Sequence, residues 1–185
     1  IYISDEWLNR ITVYDSNGEF LRKWGEQGSE PGQLDGPAGL AISGNSIYVS
    51  DSRNNRVQKF SLDGKFESSF GEQGEGPGQF NMPWGIAVNH KGEILVSDWR
   101  NNRINIYDSN GKYISSFGDI PNSLGQDYTQ LSGPAGLSID DDGDIYVADR
   151  DNDRVVVYDR DGKYVTLFTG DATLSKIGKT YIMSS

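Results

Sequence analysis

The sequence has no cysteine, a single histidine and two methionines among its 185 residues. The absence of cysteine excludes a disulfide framework and any metal site built on thiolates. One histidine is too few for a zinc site that relies on several imidazoles. There is also no run of about 18 apolar residues, the length that a membrane-spanning helix requires. We therefore expect no membrane insertion.

Positive charge is scarce as well. Lys and Arg number 17 against 27 Asp and Glu, so the formal net charge is −10. Such a surface repels phosphate backbones and anionic lipid headgroups, and we expect no nucleic-acid partner. Glycine, by contrast, is abundant with 23 residues. This balance favours strands and turns over helices.

The chain carries a tandem repeat. Residues 47–71, 94–118 and 145–168 align without gaps, and residues 1–25 form a fourth copy. Each copy has an Asp followed five residues later by an Arg, and the pairs are Asp5 and Arg10, Asp51 and Arg56, Asp98 and Arg103, and Asp149 and Arg154. A Pro-x-Gly sequence precedes each of the last three copies, starting at Pro37, Pro83 and Pro134.

Each full copy predicts four strands. A short apolar strand a follows Pro-x-Gly, strand b ends at the repeated Asp, strand c alternates with period two, and strand d ends in an aromatic residue. Strands c and d are separated by Asn-Gly or Asp-Gly, a strong signal for a two-residue hairpin turn. These pairs are Asn17-Gly18, Asp63-Gly64, Asn110-Gly111 and Asp161-Gly162. Four antiparallel strands at this period indicate a β-propeller blade.

The strings GPAGLAI, IYVSDSRNNRVQKF and GKFESSFG resemble NHL repeats, and the resemblance covers almost the whole chain. It implies an all-β propeller of four-stranded antiparallel blades, six in a closed ring, of which about four copies are present. We predict a partial blade at 1–35, blades at 36–80, 81–131 and 132–171, and a weakly helical tail at 172–185. We interpret the chain as part of a larger propeller; the alternative is a four-bladed ring that the tail closes.

The repeated Asp and Arg occur once per blade, whereas a reaction needs one asymmetric set of groups. We therefore assign them structural roles, with each carboxylate accepting backbone N–H groups of the b–c turn. The acidic run at residues 140–144 aligns with an ordinary turn at residues 89–93 and lacks the downstream glutamate of a helix-loop calcium site. We predict no catalytic residue, no metal site and no cofactor.

Three tryptophans replace small, polar or charged residues of the other copies: Trp84, Trp99 and Trp7. We predict all three in loops on one face of the disc, because strands a and c both begin there. Together with Arg53 and Arg100 they are residue types that dominate binding hot spots. This surface is our prediction for contact with a protein, peptide or glycan partner.

The leading interpretation is therefore a non-enzymatic interaction scaffold. Two alternatives remain open. One is an enzyme of the propeller lyase or lactonase kind with a metal on the axis. The other is a structural subunit that joins an oligomer or larger assembly through open blade edges. The location is unknown from the residues themselves, and the resemblance slightly favours a secreted or periplasmic protein.

Overall fold

The computed structural model describes residues 1–118 and 130–169. Within these ranges the regular elements are β-strands and three short 3₁₀ turns, and the strands form four separate antiparallel sheets. No helix in the described part is long and apolar enough to cross a bilayer. The helical tail predicted at 172–185 lies outside the described residues.

The four sheets follow one another along the chain, and we number them as blades 1 to 4. Blade 1 has three strands, β1 (Tyr2–Asp5), β2 (Arg10–Tyr14) and β3 (Phe20–Trp24). Blade 2 contains β4 (Pro37–Ser43), β5 (Ser46–Asp51), β6 (Arg56–Ser61) and β7 (Phe66–Phe70). Blade 3 contains β8 (Pro83–Val88), β9 (Ile94–Asp98), β10 (Arg103–Tyr107) and β11 (Tyr113–Phe117). Blade 4 contains β12 (Pro134–Ile139), β13 (Ile145–Asp149), β14 (Arg154–Tyr158) and β15 (Tyr164–Thr169).

The hairpin between strands c and d is longer than the two-residue turn predicted from Asn-Gly and Asp-Gly. In blade 3 the carboxylate of Asp108 accepts hydrogen bonds from the backbone N–H groups of Asn110 and Lys112, each at 2.9 Å. Gly111 adopts φ 81°, a left-handed conformation that glycine takes without steric cost. The side chain of the preceding Asp thus closes the turn, and Asp15 and Asp159 do the same in blades 1 and 4.

The innermost strands β4, β8 and β12 lie side by side around a common axis, and β1 contacts β4. The glycine of Pro-x-Gly makes this approach feasible. A Cβ atom on Gly39 would come within 2.5 Å of the carbonyl oxygen of Trp84, and one on Gly85 within 2.2 Å of that of Ala135. A side chain at either position would force the neighbouring blades apart.

Three apolar clusters fill the spaces between neighbouring blades. Fully buried members include Ile11 and Leu34 between blades 1 and 2, Val57 and Phe80 between blades 2 and 3, and Ile104 between blades 3 and 4. Each blade therefore buries one sheet face against the next, which is the architecture of a β-propeller. The prediction of an all-β fold built from four-stranded antiparallel blades is confirmed.

Candidate functional site

The repeated Asp holds together the loop that enters its own blade. In blade 3 the carboxylate of Asp98 accepts the backbone N–H of Asn81 at 2.7 Å, the side-chain amide of Asn101 at 2.8 Å and the guanidinium of Arg103 at 3.1 Å. The backbone donor thus belongs to the loop before strand a, not to the b–c turn as predicted. The same arrangement recurs at Asp51 and Asp149, whereas Asp5 accepts the N–H of Leu8 in its own b–c turn.

Burial and hydrogen bonding act in opposite directions on these carboxylates. Desolvation raises the pKa of Asp98, while the N–H of Asn81 and the guanidinium of Arg103 lower it, and the net result is a raised pKa. The pKa of Asp51 is raised for the same reason. Asp51, Asp98 and Asp149 have no solvent-exposed surface. None of the three can reach a dissolved ligand without opening the blade.

The repeated Arg reaches past the Asp to the loop that crosses between blades. Arg103 donates to the backbone carbonyls of Glu75, Gly76 and Gln79 at 2.8–3.0 Å. Arg56 makes the equivalent bonds in blade 2, and Arg154 donates to the carbonyl of Gln130 in blade 4. In blade 1 the guanidinium of Arg10 lies 3.6 Å from Asp5.

The acidic run at residues 140–144 forms a turn. One oxygen of Asp140 accepts the backbone N–H groups of Asp142 and Asp144, and the other accepts the hydroxyl of Tyr146. Desolvation acts to raise the pKa of Asp140, but these hydrogen bonds outweigh it and lower the pKa. Within residues 1–118 and 130–169, no three His, Asp or Glu side chains lie close enough together to hold a metal ion.

Trp84 and Trp99 meet at the face where strands a and c begin. Pro83 at the start of β8 pairs with Asp98 at the end of β9, and a β-bulge follows Pro83. Trp84 therefore lies within strand β8, not in a loop as predicted, while Trp99 opens a 3₁₀ turn, Trp99–Asn101. Their ring centroids are 5.7 Å apart at an interplanar angle of 63°. This is an edge-to-face pair.

Two arginines lie over the ring of Trp99. The guanidinium carbons of Arg100 and Arg150 lie 5.4 and 5.7 Å from its ring centroid, within the range of a cation–π interaction. Arg150 occupies in blade 4 the repeat position that Trp99 occupies in blade 3. Because equivalent positions of adjacent blades lie next to each other, the two side chains meet across the blade boundary.

A groove of about 360 Å³ is lined by Trp84, Trp99, Ala135 and Arg150; we call it the tryptophan groove. It adjoins an open cavity of about 440 Å³ on the axis, whose walls are the innermost strands together with Glu6 and Trp84. Trp84 lines both spaces. The register shift beside Trp84 recurs after the Pro-x-Gly proline in blades 2 and 4, so it belongs to the repeat and does not distinguish this groove.

The other two predicted surface residues stand apart from the tryptophan groove. Arg53 forms ion pairs with Glu6 at 2.8 Å and with Asp35 at 3.3 Å, so its charge is already matched. Trp7 is 84% exposed, and its ring contacts no other aromatic ring or cation in the described part of the chain. Arg150 was not predicted as a site residue. It aligns with Trp99 of the preceding copy, and this alignment could have indicated that the two side chains are neighbours.

Comparison with known proteins gives two family matches. A model described as 6-bladed β-propeller matches residues 33–116, and the NHL repeat matches residues 131–158. No curated protein matches the sequence.

Among solved structures, streptogramin B lyase has a TM-score of 0.67 at 18% identity, over 91% of this chain and 50% of the lyase. A catalytically inactive virginiamycin B lyase from Staphylococcus aureus, solved with quinupristin, has a TM-score of 0.66 at 17% identity, over 92% and 52%. A protein of unknown function from Bacteroides caccae has a TM-score of 0.60 at 18% identity, over 88% and 55%. The chain thus spans about half the length of these structures.

The prediction that the chain is not an enzyme is wrong, because the structures that it resembles include streptogramin B and virginiamycin B lyases. The error came from the repeat argument. One Asp and one Arg per blade indicate that those residues build the frame, but they carry no information on chemistry by residues outside the repeat. At 17–18% identity the likeness concerns the fold, and the lyases' reaction does not follow for this chain.

Proposed function

We propose that this propeller, which matches the 6-bladed β-propeller model over residues 33–116 and the NHL repeat over residues 131–158, binds a partner molecule through the face where strands a and c begin. The tryptophan groove, with Arg100 at its side, is the contact surface. A partner of the peptide, protein or glycan class fits this proposal, and turnover of a bound ligand is compatible with it.

The observation that carries the proposal is the edge-to-face pair of Trp84 and Trp99. The other blades fold with Ala38 or Ala135 where blade 3 has Trp84, and with Glu6, Ser52 or Arg150 where it has Trp99. The frame therefore does not need either indole. Both residues are partly exposed, and tryptophan and arginine are enriched in binding hot spots.

The position of the pair supports the same conclusion. Trp84 lines both the tryptophan groove and the axial cavity, whose volumes are about 360 and 440 Å³. These volumes lie in the range of pockets that hold small ligands or short segments of larger ones. A partner in the groove would thus have access to the axis of the propeller.

The test replaces each tryptophan with the residue that other blades carry. We expect Trp84→Ala with Trp99→Ser to weaken, by about tenfold or more, the capture of whatever an immobilised panel of peptides and oligosaccharides shows the unaltered chain to bind. Melting temperature should change little, because Ala and Ser are the residues that the repeat tolerates at these positions. Trp24→Phe is the control, since Phe70 and Phe117 take the place of Trp24 in blades 2 and 3.

Undiminished capture by the double variant would contradict the proposal. A drop in melting temperature larger than that of Trp24→Phe would show instead that the two indoles stabilise the blade boundary.

A further inference from the structure

Nine arginines occur in the described ranges, and seven of them hydrogen-bond or pair with an oxygen of the chain. Those seven are Arg10, Arg22, Arg53, Arg56, Arg103, Arg154 and Arg160. The guanidinium groups of Arg100 and Arg150 make no hydrogen bond and no ion pair within residues 1–118 and 130–169. In a chain with ten excess negative charges, two guanidinium groups without an oxygen partner are conspicuous, and both lie over the ring of Trp99.

The hydrogen-bonding capacity of these two guanidinium groups is unused. A guanidinium carries five N–H donors in its plane. The two guanidinium carbons lie 5.4 and 5.7 Å from the centroid of the same indole ring. Arg150 lines the tryptophan groove, and Arg100 lines a second cavity together with Glu75 and Arg103. Carboxylates match such a planar fork with two parallel hydrogen bonds.

The guanidinium groups favour a ligand with a carboxylate, and the two tryptophans determine the shape of the rest of the ligand. Trp84 and Trp99 meet at 63°, so the tryptophan groove has two apolar walls that are not parallel. A ligand that fills it has a compact ring with apolar C–H faces and carries its negative charge on that ring or directly beside it. A pyranose with a carboxylate at C5 meets both conditions.

Resting on the proposed function, we propose that the tryptophan groove binds a uronate-containing oligosaccharide, with Arg100 and Arg150 pairing with its carboxylates. The net charge of −10 repels a polyanion as a whole. Binding of a uronate chain therefore relies on local attraction by the two guanidinium groups, whose charges no carboxylate of the described residues matches.

The experiment compares two probes, tetragalacturonate and its fully methyl-esterified form, in which each carboxylate is replaced by an uncharged methyl ester, by calorimetric titration of the full chain. We expect the acid to bind about tenfold or more tightly than the ester, as charge-assisted bonds require. Arg100→Gln with Arg150→Gln should lower the affinity for the acid to that of the ester and leave the ester unaffected. Arg160→Gln is the matched control, because Arg160 lies in the c–d turn of blade 4, at the opposite end of the strands, and donates to the carbonyl of Asp142.

Equal binding of acid and ester, or an unchanged preference in the Arg100/Arg150 variant, would overturn the inference. So would binding of neither probe while a peptide from the panel binds. The proposed function stands in each of these cases if Trp84→Ala with Trp99→Ser abolishes the binding that is observed, and it falls if that variant binds like the unaltered chain.

Discussion

Met82 adopts a left-handed backbone conformation, and the equivalent position in the other full blades is a glycine. Its φ is 61°, against 63° for Gly36 and 59° for Gly133 at the same repeat position. All three backbone N–H groups donate to an Asn side chain of the preceding blade, and Met82 donates to Asn55 at 2.8 Å. Blade 3 thus carries backbone strain two residues before Trp84, and strain of this kind often accompanies a binding site.

We expect Met82→Gly to raise the free energy of unfolding by about 0.5–1 kcal/mol. The left-handed conformation costs a residue with a Cβ about 1–2 kcal/mol, and the greater freedom of glycine in the unfolded chain offsets part of the gain. Urea unfolding measures the change. Met82→Ala keeps the Cβ and should give no gain, and a gain of equal size with alanine would show that the backbone of Met82 is not strained.

The strands of neighbouring blades are joined by a serine at the end of strand b. Ser97 in β9 accepts the N–H of Gly85 at 2.7 Å and donates to the carbonyl of Ala135 in β12 at 2.6 Å. Ser50 occupies the same position in blade 2, yet its buried hydroxyl has no hydrogen-bond partner in the part of the chain that the structure describes. Blade 4 has Ala148 there. The same repeat position thus carries a serine that hydrogen-bonds blade 3 to blade 4, Ser97, and a serine in blade 2 whose hydroxyl is unsatisfied, Ser50.

Ser97→Ala should lower the free energy of unfolding by about 1–3 kcal/mol, because it leaves a buried N–H and a buried carbonyl unsatisfied. Ser50→Ala should leave stability unchanged or raise it slightly, since it removes a buried hydroxyl that bonds to nothing. Chemical denaturation of both variants under identical conditions makes the comparison. Equal losses would contradict the assignment of Ser97 as the tie between blades.

At the level of elements, the strands could be predicted from the sequence, but the hydrogen bonds between strands and loops could not. The order of strands a to d follows from period-two alternation and turn residues, which are local signals. The backbone partner of Asp98 is Asn81, 17 residues away, and no local signal marks it. The turn after Tyr107 was predicted too short because the carboxylate of Asp108, not only the Asn-Gly pair, closes it.

For a related reason, the sequence could point to only some of the residues that line the tryptophan groove. Trp84 and Trp99 stood out because they interrupt the repeat, and the pairing of Pro83 with Asp98 brings them together. The ion pairs of Arg53 could not be predicted from the sequence, because its partners, Glu6 and Asp35, come from a different blade and from a crossing loop. Sequence alone identifies a residue as unusual, whereas its free or paired charge depends on neighbours that only the fold supplies.

At the scale of the whole molecule, the tryptophan groove is a departure from a repeating frame. Buried Asp–Arg pairs and apolar clusters recur from blade to blade. The tryptophan groove, by contrast, occurs at the boundary of blades 3 and 4, where Trp99 contacts both Trp84 and Arg150. Residues that differ between otherwise similar blades are not needed for the fold, and we therefore place the binding surface at Trp84 and Trp99.

The indole N–H signals of the four tryptophans provide the most direct measurement, with each signal assigned from a single Trp→Phe variant. On titration with tetragalacturonate, the account predicts that the signals of Trp84 and Trp99 move together and saturate at one concentration. The signal of Trp24, which packs between blades 1 and 2, should stay in place. Shifts confined to Trp7 or Trp24, or saturable binding that moves none of the four signals, would contradict it.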